Sequence, residues 1–319
     1  CRTRLRPAWG SAIAAASMTV ALQECSSAGT GFAGSDSPAL SGRDGEDDFA
    51  LIAGLAFSGR HRLAVADMRA ALRLYRLAWA LAWLDIKSRY RGSLLGPLWL
   101  TLSTAVMVAS LGILYSTLFR MDLREYLPFL ALSLVAWGFV QTLVSDACAC
   151  FTQHEGVIRS IRMPYFLYAG RVVLRNILVL AHNIVVIAVV YAIFGIWPGW
   201  IALAALPALL LWLADSLAAA MLLGAFCARF RDIPPIVASV MQIAFFVSPI
   251  IWKPELIEHG RRWLPLNPFF SLFEIVRAPL LGGVPSWQVW VASVGYSLLL
   301  CGMSWLLFVR VRNRLAFWL

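Results

Sequence analysis

The stretch DIKSRYRGSLLGPLWL, residues 85–100, decides how the rest of the chain is read. Its first half is basic and aromatic, with Lys87, Arg89, Tyr90 and Arg91. Its second half turns at Gly92 and Gly96 into a run from Leu94 to Phe119 that has no charged residue. Lysine and arginine are held on the cytoplasmic side of a span, so this junction marks a cytoplasmic membrane boundary. Composition agrees: 61% of the 319 residues are hydrophobic and only 14% charged, a balance that belongs to a polytopic membrane protein. The net charge of +10 raises nucleic acid as a partner, but the basic residues gather beside apolar runs instead of forming a basic domain. They serve as topology signals and as contacts to anionic lipid.

Upstream of the junction, Leu72, Tyr75, Trp79, Trp83, Ile86 and Tyr90 recur every three or four residues, with Arg69, Arg73, Arg76, Lys87 and Arg91 off that stripe. The pattern predicts one amphipathic helix from Met68 to Arg91, lying in the membrane interface. The bland alternative, a surface helix on a soluble domain, lacks a domain to pack against. Residues 1–62 are rich in Gly, Ser and Ala with mixed charges and no periodicity, and read as disordered or as a non-native extension. Ala8 to Leu22 is short for a span and weakly resembles a signal segment; a start at Met68 is a further reading.

Downstream, six apolar runs lie near 94–119, 127–151, 170–196, 201–228, 233–252 and 287–309, each matched to the ~20 helical residues that cross a hydrocarbon core. Charges alternate between the links. Residues 152–169 carry His154, Glu155, Arg159 and Arg162, and the tail carries Arg310, Arg312 and Arg314, whereas 120–126 is neutral and 197–200 uncharged. This alternation predicts both termini in the cytoplasm. Segment 253–286 has nearly cancelling charges and four prolines between Trp263 and Pro285. It is expected outside, as short re-entrant or interfacial helices whose broken backbone is covered by protein or water. The fold class is therefore an all-α integral membrane protein of six spans with an N-terminal interfacial helix, over residues 63–319.

Catalytic signatures are missing. The sequence holds no phosphate-cradling G-x-x-x-x-G-K-[ST] and no H-E-x-x-H, and its four histidines are scattered. A chain that uses nucleotide energy without such a cradle takes it from a partner. Cys148 and Cys150 lack the spacing and companions of a zinc site. In the link after the second span, Gln153 to Ile161 makes two or three helical turns before Pro164, with Val157, Ile158 and Ile161 on one face between Glu155, Arg159 and Arg162. Such a helix either docks in a groove of another protein or rests on the headgroups. Asp146 and Asp215 lie within predicted spans. Asp146, near an interface, is read as solvated; Asp215 either pairs with Arg171 or Arg175 or lines a conduit.

Several strings together resemble the permease subunits of type-2 ATP-binding-cassette exporters that move O-antigen, capsular polysaccharide or teichoic acid. They are RYRGSLLGPLW, PFLALSLVAWGFV, GVIRSIRMPYF, CARFRDIPPIV, FFVSPIIW and LNPFFSLFEIVR, in order over residues 70–319. The resemblance implies a homodimer in the bacterial inner membrane, joined by two copies of a separate ATPase that binds ATP and magnesium and powers export of a lipid-linked glycan. A permease for a drug or small lipid is the alternative. It implies a coupling helix at Gln153, Glu155, Val157, Ile158, Arg159, Ile161 and Arg162, and a gate helix carrying Arg73, Arg76, Lys87, Arg89, Tyr90 and Arg91. A cytoplasmic turn at Phe230, Arg231 and Asp232 would separate spans four and five. For the substrate path it leaves Trp137, Phe139, Asp215, Phe245, Phe246 and Trp252 as expected lining, with core or lipid-facing roles as the alternative for the aromatics.

Overall fold

The computed structural model describes residues 57–89, 91, 96, 98–256 and 261–319. Residues 1–56, and with them most of the expected disordered extension, lie outside the described residues, as do Tyr90 and Gly92. All regular structure among the described residues is helical.

Among the described residues two helices, not one, precede the first span. α1 (Phe57–Arg73) begins six residues ahead of the expected boundary, and α2 (Tyr75–Arg89) follows after a break at Leu74. On α2 the packed face is Ala78, Ala82 and Ile86, one residue from each turn, set mainly against the third span. The aromatic stripe of Tyr75, Trp79 and Trp83 is exposed. The predicted stripe is thus not the packed face of α2, apart from Ile86: small residues do the packing and the large rings face outward.

Among the described residues five helices are long and apolar enough to cross a membrane: α3 (Leu98–Leu118), α4 (Leu123–Cys148), α6 (Tyr165–Phe194), α7 (Ala205–Arg229, preceded by a 3-10 turn from Gly199) and α10 (Trp287–Trp318). Between α4 and α6 stands α5 (Glu155–Ser160), and α8 (Ile233–Val247) and α9 (Pro268–Leu280) lie between α7 and α10. The predicted fifth span is the exception. α8 has 15 residues, which at 1.5 Å each gives about 22 Å. It stops at Ser248 because the residue before a proline, here Pro249, is driven out of helical backbone.

Local chemistry sets the other boundaries. The Asp122 side chain accepts the Arg124 N–H at 2.9 Å and so caps α4. Asn267 caps α9 in the same way, with Pro268 in the first turn. Gly195, at φ 63°, ends α6 with the Ile196 N–H returned to the Tyr191 carbonyl. α10 has 32 residues, about 48 Å long, so its last turns with Arg310, Arg312 and Arg314 outrun a hydrocarbon core of about 30 Å.

α4 is the central helix, buried from Pro128 through Val135 and packed by α3, α6, α7 and α8. α10 lies along α7, and α9 rests on both. α3 is the opposite of α4. It buries only Val108, Gly112 and Ser116, one per turn, and exposes Leu102, Val106, Met107, Ile113 and Leu114.

Candidate functional site

The link between α4 and α6 forms a 3-10 turn (Thr152–His154) that runs into α5. Its base is immobilised. Phe151 is fully buried, and the Gly224 backbone of α7 approaches so closely that a Cβ there would stand 2.9 Å from the Phe151 ring. The His154 Nδ1 lies 3.0 Å from the Cys150 carbonyl. Ile158 is buried, whereas Val157 and Ile161 are exposed. The expected common face of these three residues is therefore split: Ile158 turns inward and anchors α5, and Val157 and Ile161 are presented outward. Glu155 and Arg159 pair at 2.8 Å across one turn, which holds α5 helical at its surface; Gln153 is exposed beside them.

Behind α5 a charged cluster joins three helices. Arg171 of α6 donates from Nε to the Asp85 carboxylate of α2 at 2.7 Å, and its Nη2 donates to the other oxygen. Arg175, one turn further, pairs with Asp146 of α4 at 2.8 Å and lies 3.6 Å from Asp85. Asn176 donates to Asp146 at 2.9 Å, and Arg89 of α2 comes within 3.9 Å of the same carboxylate. Asp146 is thus paired, not merely solvated. Burial alone would raise the Asp85 carboxyl, but the hydrogen bonds and charge of Arg171, with the charge of Arg175, outweigh it and hold it below the usual range. Burial pushes the neighbouring His154 down, helped by the Arg171 charge and opposed by the Cys150 carbonyl.

A third carboxylate grips the same end of α6, from α1. Asp67 is buried; one oxygen accepts the Phe166 N–H at 3.2 Å, in the first turn of α6, and the other takes Arg312 of α10 at 3.3 Å. Burial raises this carboxyl despite the Phe166 N–H and Arg312. Sequence reading missed the roles of Asp67 and Asp85. The available signal was Arg171 and Arg175, two cations a turn apart on an apolar helix, which demand buried anions.

Asp215 is not their partner. It is buried in the middle of α7, where the Ser297 hydroxyl of α10 donates to it at 2.7 Å and its other oxygen has no partner. The expected lining aromatics also divide. Trp137 and Phe139 are core residues because neighbouring helices cover the faces of α4 that carry them: Trp137 packs against Phe245, Phe269 and Phe273, and Phe139 stacks on Trp212 at 5.8 Å. Phe245 and Trp252 are half-buried, and Phe246 alone of the set is exposed, on α8.

Phe230, Arg231 and Asp232 form an exposed turn between α7 and α8. Asp232 occupies the N-cap position of α8 without a side-chain cap bond, and Arg229 beside it lies over the Trp318 ring at 5.4 Å. Of the expected gate-helix residues, Arg73 ends α1, and Arg76, Lys87 and Arg89 lie on α2 with Arg91 just beyond; all are exposed.

At the other end of the bundle Arg277 of α9 is buried. It binds Glu274 on its own helix, donates to the Ser133 hydroxyl of α4 at 3.0 Å and the Pro249 carbonyl at 2.9 Å, and lies over the Phe129 ring at 4.3 Å. One guanidinium thereby joins α9, α4 and the turn that ends α8.

The comparisons with known proteins bear on this arrangement. The chain is 26% identical to the O-antigen export system permease protein RfbA of Myxococcus xanthus over 197 residues, 61% of this chain and 76% of that one. A protein of the same name from Klebsiella pneumoniae is 20% identical over 206 residues, 64% of this chain and 80% of that one. The ABC-2 type transporter family matches residues 76–281, from α2 through the end of α9. That match covers more than half of the chain and, with five helices among the described residues long and apolar enough to cross a membrane, the chain belongs to the ABC-2 type transporter family as a multi-pass membrane permease.

Proposed function

We propose that this chain is the permease half of an exporter that carries an O-antigen-type, lipid-linked polysaccharide across the bacterial inner membrane. Two copies form the conduit, and a separate ATPase subunit binds ATP with magnesium and drives it. The observation that carries the reading is α5: an anchored, ion-paired helix that presents Val157 and Ile161 on a link between two spans. Exposed apolar residues beside charges fit a groove on a protein partner. Residues Gln153, Arg159 and Arg162 frame that contact, and the Phe230–Asp232 turn lies at the neighbouring link. The substrate fits the names of the relatives, and both termini are cytoplasmic by the charge of the links.

The second copy accounts for the faces left open. α3 exposes an apolar side, and α8 exposes Ile236, Val240, Ile243 and Phe246. Phe246 is then the aromatic of the expected set best placed to meet a sliding glycan, with Phe245 against it and Trp137 behind Phe245.

The test is purification of tagged chain from its own cells with the ATPase scored in the same fraction. Val157→Asp with Ile161→Asp is expected to remove the ATPase and surface glycan while the chain stays in the membrane. Wild-type chain that comes down without any ATPase overturns the reading.

A further inference from the structure

α5 is fused to the last turn of α4 and the first turns of α6, so a push on α5 moves those two helix ends. The contact by which such a push reaches α2 has two parts. One is an apolar seam of Ala78, Ala82 and Ile86. Two methyl groups and one branched chain let the helices approach closely there but supply no directional bond to fix the register. The other is the charged cluster. Asp85 is held by two bonds from Arg171 and faces Arg175 at 3.6 Å, while Arg175 reaches Asp146 at 2.8 Å. A bidentate arginine–carboxylate pair fixes both distance and plane, and this is the register the alanine seam lacks.

The cluster is also unsaturated. Arg175 is buried, and its Nε has no hydrogen-bond partner. Its guanidinium sits between two carboxylates at unequal distances, one on α2 and one on α4.

Accepting the exporter reading, we propose that Asp85 is a positioning residue: through Arg171 and Arg175 it passes the displacement of α5 to α2, and so to the residues leading into the first span. Loss of this contact is expected to uncouple ATP hydrolysis from export and not to prevent assembly.

The experiment uses the full transporter, chain with ATPase, in cells and in proteoliposomes, and compares wild type, Asp85→Asn, Arg171→Asp and the double variant Asp85→Arg with Arg171→Asp. Three quantities are read: ATPase recovered with the chain, ATP hydrolysed, and glycan exported. For Asp85→Asn the expected result is unchanged recovery and hydrolysis with glycan per ATP down about tenfold, and for the exchanged pair a return to within about threefold of wild type. Two results overturn the proposal. One is export by Asp85→Asn at the wild-type ratio. The other is loss of recovery and export together with no repair by the exchanged pair, which marks the cluster as purely structural. Wild-type chain without any ATPase is a separate outcome that defeats the exporter reading itself.

Discussion

At the α5 end of the bundle, Asp85 of α2 and Asp146 of α4 divide two arginines and an asparagine of α6, so no single group carries the joint. At the α9 end, one guanidinium, that of Arg277, makes the charged tie from α9 to α4 and to the turn after α8. Both solutions take charge out of water and both must satisfy it. They differ in what happens when one member is lost or moves. A shared cluster has another partner to offer, while a single hub leaves every group it held without one.

The sharpest way to break this comparison is at the hub. Arg277→Met leaves Glu274 without its cation and empties the bonds to Ser133 and Pro249. It is expected to cost about 3–5 kcal/mol, the range for breaking a buried pair from one side. Thermal unfolding of the purified chain reads it; a melting temperature near that of wild type would show that the α9 end does not hang on this residue. The matching change at the other end, Arg171→Gln, is expected to cost less, about 1.5–3 kcal/mol, because Asp85 keeps Arg175 within reach. Equal losses for the two variants would erase the distinction drawn here.

The third test concerns the steric part of the α5 end. Gly224→Ala sets a methyl 2.9 Å from the ring of a fully buried Phe151, for an expected cost of about 1–3 kcal/mol. Phe151→Leu in the same chain should recover part of it, and no recovery would place the strain elsewhere.

The smallest effect is in pH. The folded chain holds Asp67 above its ordinary 3.8, so stability from this group is fully present below 3.8 and is lost as pH rises through the raised value. Asp85 is held below 3.8, so its contribution is complete above 3.8 and is lost as pH falls through the depressed value. With rising pH, the melting temperature should therefore lose its rise below 3.8 in Asp85→Asn and its fall above 3.8 in Asp67→Asn. Identical profiles in both variants would mean that the two carboxylates do not grip α6 by opposite balances of burial and charge.

Much of this molecule is legible in its residues. Uncharged runs give the spanning helices because hydrocarbon demands them, and Asp122, Asn267 and Gly195 mark helix ends by chemistry that acts over a few residues. Partnership between helices is a different kind of information. Arg171 and Arg175 announce that anions are near without saying which. The choice of Asp215 fails on depth: Arg171 is six residues, about 9 Å, from its end of α6, and Asp215 is fourteen residues, about 21 Å, from the same end of α7. Trp137 and Phe139 mislead for a related reason. An aromatic on an apolar helix reads the same whether it faces a conduit or a neighbour, and only the enclosure of α4 decides. The split at Leu74 and the outward rings of α2 have the same origin, since the alanines that do the packing carry little weight in a hydrophobic stripe.

The shortness of α8 reaches beyond the protein itself. Its length falls about 8 Å below the thickness of an average hydrocarbon core, and its outer face is apolar. Lipid in contact with that face has to compress to meet it, at a fraction of a kcal/mol for every ångström. Bilayer thickness thereby acts on this chain as a force. A thicker membrane strains more against a lone copy and rewards whatever covers α8, while a thinner one lets the face stand open.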